Sequence, residues 1–269
     1  MEQINAKKQF GQNFISDPNL ITKIVDLLGN EKDSLVIEIG PGKGALTKQL
    51  VKRFKKVIAI EIDRDMEDIL NKEINSENFE LIIKDALEVD LRELIAGENK
   101  KYDYKNVFLI SNMPYYITSE ILFNTLDVHD LLTKAVFMMQ KEVATRVCAK
   151  VNENNYNNLS IACDFYATTK YEFTVPKKMF RPIPKVDSAI VSLTFNNDHV
   201  NDVKDPQKFI SFVRQLFNNR RKTILNNLGR VLGDKEKAKD VLNKTQISEN
   251  LRPENIDLDQ YINLYNNSY

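Results

Sequence analysis

The sequence predicts an α/β protein, with a doubly wound, largely parallel sheet followed by a small all-helical domain. Three observations predict it. The run Leu35-Val36-Ile37-Glu38-Ile39 is short, apolar and ends in a glycine cluster, as expected of a parallel strand buried on both faces. Strand-like and helix-like segments then alternate as far as about residue 195, the order that winds helices over both faces of one sheet. Beyond residue 197 only helical periodicity remains, which predicts a boundary there, with one domain over residues 1–197 and a second over 198–269.

Taken in order, Ser16-Asp17-Pro18 reads as a helix start, with a capping side chain before a proline in the first turn. Leu20, Ile21, Ile24, Val25 and Leu28 follow at helical spacing until Gly29 closes the helix. After the strand at residues 35–39 a helix begins near Ala45, a second strand is predicted at 57–62, and a second helix runs through Met66, Ile69 and Leu70. Further strands are predicted at 79–83, 107–111, 135–140 and 188–195, the last from its alternating pattern. Residues 208–228 and 235–243 read as the helices of the second domain.

With 42% hydrophobic and 28% charged residues, the chain can bury an ordinary core. The first fourteen residues hold no apolar stretch of a secretory signal and no membrane-length run follows, so a cytoplasmic setting without membrane contact is expected. Cys148 and Cys163 lie among apolar residues. They read as reduced core residues rather than a disulfide or zinc framework, and no metal is expected. The formal net charge is +0, but thirteen acidic face four basic side chains over residues 59–98, and fifteen basic face eight acidic over 170–240. A polyanion responds to that local field rather than to the sum.

Glu38-Ile39-Gly40-Pro41-Gly42-Lys43-Gly44 follows the first strand of the sheet and opens a helix. Glycines there permit a tight turn and close approach of a ligand to the main chain. The spacing G-x-G-x-G, with the acid Glu38 before it, resembles the loop of class I S-adenosylmethionine (SAM) methyltransferases. Such a loop must accommodate a cationic sulfonium and an amino-acid tail rather than a pyrophosphate. Glu61, at the end of the second strand, suits the ribose hydroxyls, and Asp85, after the third, suits the adenine amine.

Asn112-Met113-Pro114-Tyr115 follows the fourth strand. An adenine amine is a poor nucleophile because its lone pair is delocalised into the ring. Two acceptors, the Asn112 side-chain carbonyl and the main-chain carbonyl of Met113 or Pro114, can bind its hydrogens and aim the lone pair. Pro114 brings no competing donor and fixes φ, while the Tyr115 ring suits stacking on an extruded base.

These motifs together make the chain resemble the rRNA adenine dimethyltransferase family, in particular its branch acting on small-subunit rRNA, over nearly the whole length. Lys8-Gln9-Phe10-Gly11-Gln12-Asn13-Phe14 resembles the family's N-terminal K-x-F-G-Q-N-F segment. The resemblance places Asn13 and Ile15 among SAM contacts with Gly40, Gly42, Glu61, Asp85 and Asn112. Phe180-Arg181-Pro182-Ile183-Pro184-Lys185-Val186-Asp187-Ser188 matches F-x-P-x-P-K-V-x-S, whose aromatic helps wall the target-base pocket. Three positions depart from the family pattern. Met113 stands for Leu or Ile, Ile15 for Leu, and Tyr116 where many members have Asn, which leaves its role open.

Arg220-Arg221-Lys222, within a stretch resembling R-R-K-T-L-x-N-N-L, separates the small-subunit branch from large-subunit resistance methyltransferases and supplies cations for phosphates, with Lys185 as a further RNA contact. The resemblance implies dimethylation of two adjacent adenosines near the 3′ end of small-subunit (16S) rRNA, in an immature 30S-type particle and by a monomer. A large-subunit methyltransferase and a non-catalytic RNA-binding assembly factor of the same fold are the rival readings.

Overall fold

The computed structural model describes residues 13–196 and 198–269. They form two compact units, one built from the described residues up to Ala144 with Lys170–Phe195, the other from Thr145–Thr169 with the described part of Asn196–Tyr269. Among the described residues no helix is long and apolar enough to cross a membrane.

The first unit begins with a two-residue strand, β1 (Phe14–Ile15). Helix α1 (Pro18–Asp26) follows, its first turn capped by Asp17, whose side chain accepts from the Leu20 amide. The alternation then runs β2 (Ser34–Ile39), α2 (Thr47–Arg53), β3 (Lys56–Glu61), α3 (Asp65–Glu73), β4 (Phe79–Ile83), α4 (Leu91–Lys101), β5 (Asn106–Asn112), α5 (Thr118–Leu126), β6 (Lys134–Gln140) and α6 (Lys141–Val147). The chain continues through α7 (Asn158–Tyr166), β7 (Ala167–Val175), β8 (Phe180–Arg181) and β9 (Ser188–Phe195). Seven strands form one sheet in the order β4-β3-β2-β5-β6-β9-β7. β2, β3, β4, β5 and β6 are parallel, whereas β9 runs antiparallel to β6. β2 is buried at every position, which is why it reads as an unbroken apolar run rather than an alternating one.

Register sets the site. Ile39 pairs with both Ile60 and Ser111, Glu61 with Ile83, and Asn112 with Met138. The residues just past β2, β3, β4 and β5 therefore gather along one sheet edge, and strand order reverses between β2 and β5, where open α/β sheets leave a crevice for ligands. Apart from the large sheet, β1 pairs antiparallel with β8, Phe14 opposite Arg181 and Ile15 opposite Phe180.

The second unit contains α7, α8 (Pro206–Leu216), α9 (Ile224–Leu232), α10 (Lys235–Thr245) and α11 (Leu258–Ser268). Its core is aromatic: Phe165 and Phe209 lie 4.7 Å apart between ring centres, and Tyr265 packs edge-on against both Phe209 and Phe212. Two features differ from the sequence expectation. The helical unit also takes in Thr145–Thr169, because α7 brings Leu159, Ile161, Phe165 and Tyr166 into burial, so a cut after residue 197 does not mark the compact unit. The helix expected over 208–228 is broken. Phe217–Asn219 tightens into a 3-10 turn, and the Asn227 side chain donates to the carbonyls of Asn219 and Lys222, holding Arg220, Arg221 and Lys222 on a turn. Cys163 is buried and Cys148 only half-buried.

Candidate active site

A cavity of about 510 Å³ opens along the sheet edge, within the range of small-molecule sites. Asn13, Ile15, Glu38, Gly40, Gly42, Glu61, Asp85, Asn112, Pro114 and Tyr115 all line it. Residues 8–12 of the N-terminal motif lie outside the described residues.

The glycine turn explains its own composition. Gly40 and Gly42 have φ of 73° and 54°, in the left-handed region that costs residues with a Cβ about 1–2 kcal/mol. At Gly42 a Cβ would also sit 2.8 Å from the Phe14 ring, so the turn is roofed by β1. Lys43 Nζ lies 4.9 Å above that ring, a cation–π distance.

The acids occupy three different environments. Glu38 is only 1% exposed and accepts from Thr47 Oγ1 at 2.7 Å. Burial pushes its pKa up from 4.5 to about 8, opposed by the Thr47 bond and reinforced by the neighbouring Glu61. Glu61 is held from both sides, Oε2 accepting from the Gly42 amide and Oε1 from the Asp63 amide, each at 3.0 Å. Burial raises its pKa as well. Asp85 caps a 3-10 turn, Oδ1 accepting from the Leu87 amide at 2.9 Å, with its carboxyl still at the cavity wall. Capping and cavity lining are thus combined in one residue. Three carboxyl residues lining one cavity suit a cationic ligand carrying vicinal hydroxyls.

At the neighbouring strand end, Asn112 Nδ2 donates to the Asn13 carbonyl at 3.0 Å. With the amide nitrogen committed, Oδ1 is left as the acceptor of a side chain that lines the cavity. The Pro114 carbonyl already accepts from the Ile117 amide and Thr118 Oγ1. Of the two main-chain acceptors considered for the tetrad, Met113 is therefore the better candidate, and Pro114 serves through its fixed φ. The Tyr115 hydroxyl is 2.6 Å from Ser188 Oγ, and Ser188, fully buried, opens β9.

One expected residue is not brought to the cavity. Phe180 is 0% exposed and packs in the core with Ile15, Ile21 and Val175, and it is not among the lining residues. The pairing of β8 with β1 explains this, because side chains alternate along a strand. Phe180 turns inward opposite Ile15, while its neighbour Arg181 lines the cavity. The sequence reading also passed over Lys43, Arg181 and Ser188 as site residues, and left Tyr116 open. Tyr116 is 51% exposed and lines the cavity, close enough to Asp85 and Glu61 for both to raise its hydroxyl pKa, after burial. Ser188 carried a signal, as the terminal serine of the proline motif. The RNA-binding candidates Arg220, Arg221, Lys222 and Lys185 are all exposed. Arg220 is partly committed to structure, its Nη2 donating to the carbonyls of Tyr156 and Asn154.

The sequence profile of the family described as ribosomal RNA adenine dimethylase matches residues 3–268. The chain belongs to that family. It is 63% identical over 264 residues to the ribosomal RNA small subunit methyltransferase A of Mesoplasma florum, covering 98% of both chains. The protein of the same name from Mycoplasma capricolum subsp. capricolum is 64% identical, over 99% of this chain and 98% of the relative. Among solved structures, a dimethyladenosine transferase from Plasmodium falciparum superposes with a TM-score of 0.77 at 27% identity, over 93% of this chain and 95% of that one. The fold is that of a class I SAM methyltransferase. SAM is the family's cofactor, and the acid-lined glycine turn fits it.

Proposed function

We propose that this chain transfers methyl groups from SAM to the exocyclic amine of adenine in small-subunit rRNA, dimethylating two adjacent adenosines near the 3′ end. Its substrate is the rRNA of an immature 30S-type particle in the cytoplasm, and it acts as a monomer. The observation that carries this reading is the oriented amide of Asn112, pinned through Nδ2 by Asn13 in the same cavity as Glu38, Glu61 and Asp85.

When bound, SAM supplies an electrophilic methyl on a cationic sulfur. The remaining work falls to side chains and main chain. Glu61, prealigned by two amides, accepts the ribose hydroxyls through its remaining lone pairs, and Asp85 takes the adenine amine of the cofactor. Asn112 Oδ1 and the Met113 carbonyl accept the two hydrogens of the target amine and draw its nitrogen toward tetrahedral geometry. Tyr115 stacks on the everted base, held in place through Ser188. Positioning of this kind supplies most of the acceleration when the electrophile is already activated. A strong general base is unnecessary, because the amine sheds its proton only after the new C–N bond makes it acidic. Arg221 and Lys222 grip phosphate, and Arg220 contributes charge from its tethered position.

The test is transfer of tritiated methyl from SAM to unmethylated small-subunit particles, followed by nucleoside analysis. Dimethyladenosine in the small-subunit RNA is expected, and label confined to large-subunit RNA would overturn the reading. Asn112→Ala is expected to remove transfer while sparing RNA binding, and near-normal turnover in that variant would refute the acceptor role. Failure of the purified chain to bind SAM in calorimetry would favour a non-catalytic assembly factor.

A further inference from the structure

The proline-rich segment between β7 and β9 carries an exposed surface beside the cavity, of which only Lys185 has been given a role. Lys177, Lys178, Arg181 and Lys185 are all exposed, and among the described residues none of them forms an ion pair. Some cations elsewhere are matched, as in Lys48–Glu73, Lys56–Glu80, Lys150–Asp164 and Lys170–Glu172, whereas here four unmatched ones fall within nine residues. The one acid of the segment, Asp187, is turned inward to its own backbone, Oδ1 accepting from the Lys177 amide at 2.9 Å.

Apolar side chains alternate with these charges. Ile183 is 57% and Val186 46% exposed, among the highest values for large hydrophobic residues in the described chain. Isolated exposed aliphatics need no explanation, but two of them within a run of unpaired cations, next to a ligand cavity, form a surface of mixed character. Single-stranded nucleic acid has the same character, with phosphates on one side and flat apolar base faces on the other.

The segment is also rigid. Asp187 ties its two ends, Phe180 anchors its middle in the core, and Pro176, Pro182 and Pro184 fix φ at three positions. Arg181 Nη1 is steadied by the carbonyls of Lys178 and Phe180, and the residue lines the cavity. Because Arg181 both lines the cavity and belongs to this surface, the two are continuous.

We propose that residues 177–187 bind the single-stranded RNA flanking the target adenine. Arg181, Lys177, Lys178 and Lys185 take successive phosphates, and Ile183 and Val186 sit beneath unstacked bases. The inference rests on the methyltransferase reading for its substrate and goes beyond the expected Lys185 contact by making the segment a strand-selective site. Duplex RNA hides its base faces, so the apolar residues would discriminate against it.

The test is fluorescence anisotropy of a labelled single-stranded RNA oligonucleotide holding an adjacent adenine pair, titrated with the full chain over a range of salt. The comparison is with the same sequence as duplex. Replacing all four cations by Ala should lower the slope of log K against log salt by up to about 3, at about 0.7 per single-strand phosphate contact. Ile183→Ser with Val186→Ser should weaken single-strand binding several-fold at unchanged slope and leave duplex binding alone. SAM affinity should be unaffected in the Ile183/Val186 variant and in a variant with Lys177→Ala, Lys178→Ala and Lys185→Ala that keeps Arg181. Loss of SAM affinity with unaltered RNA binding would assign Arg181 to the cofactor's carboxylate instead and overturn the inference. So would an unchanged salt slope, or equal losses on duplex and single strand. Retained oligonucleotide binding with lost retention on ribosomal particles would point to a protein partner, again overturning it. Each of these results leaves the methyltransferase reading intact if the wild-type chain still methylates particles, and a wild-type chain without that activity would fail the function reading while the titration still decides the surface.

Discussion

Replacing Glu38 by Gln should make the protein more stable, increasingly so as pH rises. Glu38 lies wholly inside the molecule with Thr47 Oγ1 as its one donor among the described residues, and burial raises its pKa from 4.5 to about 8. An acid with a raised folded pKa binds its proton more tightly in the native state than in the unfolded one. Stability therefore falls as pH climbs between those two values and levels off above the higher. At about 1.4 kcal/mol per pH unit the cost is about 1 kcal/mol at pH 5, about 3 at pH 7 and about 5 at pH 9. Gln keeps the oxygen that accepts from Thr47 and removes the charge. Urea unfolding of both proteins without cofactor, at those three pH values, measures the gap directly. A gap that does not widen with pH, or a wild type more stable than the variant at pH 9, would refute the reasoning.

The same carboxyl should ionise when a cationic ligand settles beside it. SAM binding near pH 7 is then expected to release protons, seen in calorimetry as a dependence of apparent enthalpy on the buffer's ionisation enthalpy. The Gln variant should lose that dependence and bind about tenfold more weakly, a loss near 1.4 kcal/mol. The acid whose burial costs the fold stability is the one that favours the cofactor.

Gly42→Ala forces a Cβ into a left-handed turn and to within 2.8 Å of the Phe14 ring; a stability loss of about 1–2 kcal/mol and markedly weaker SAM binding are expected in thermal melts and calorimetry. Tyr115→Phe and Ser188→Ala each remove one partner of the 2.6 Å hydroxyl pair, so both should lower kcat while sparing SAM affinity; the double variant should lose no more than the worse single one, and additive losses would show that the bond does not position the ring. Arg220→Ala frees the Tyr156 and Asn154 carbonyls and should destabilise the helical unit by about 1 kcal/mol. Arg221→Ala should leave unfolding untouched and reduce only the salt slope of RNA binding.

The large sheet was legible because parallel strands are apolar on both faces, so β2, β3, β5 and β6 announce themselves by composition alone. The site was legible for a related reason. Register brings the ends of parallel strands to one edge, and an acid or an asparagine after each is conspicuous against an apolar background. β7 was not legible: its nine residues bury only Ala167 and Val175, and at the sheet edge nothing forces an alternating pattern. β1 and β8 are too short to carry a period. Phe180 could not be placed because a motif fixes residue type and not which face of a strand it occupies. One step of the pleat separates an aromatic in the cavity from one in the core. The break between α8 and α9 was hidden because Phe217, Ile224, Leu225 and Leu228 are all buried and continue a helix-like spacing through the turn.

The antiparallel β9 gives the site its second source of side chains. In a wholly parallel sheet the carboxyl edge receives only residues that follow strands, here the glycine turn, Glu61, Asp85 and the tetrad. β9 runs the other way, with Ser188 opposite Gln140 at the end of β6, so it begins at that edge and brings the residues preceding it to the site. This is why the proline-rich segment can present Arg181 to the cavity while its terminal serine holds the Tyr115 hydroxyl. The segment in turn pairs with β1 through β8, and β1 covers Gly42 with Phe14, while the preceding Asn13 carbonyl orients Asn112. The glycine turn, the Asn112 amide and the Tyr115 ring are thus linked through two short strands that lie outside the main sheet. A change that loosens the β1–β8 pair should accordingly impair SAM binding and base positioning together, although neither strand contributes more than two residues.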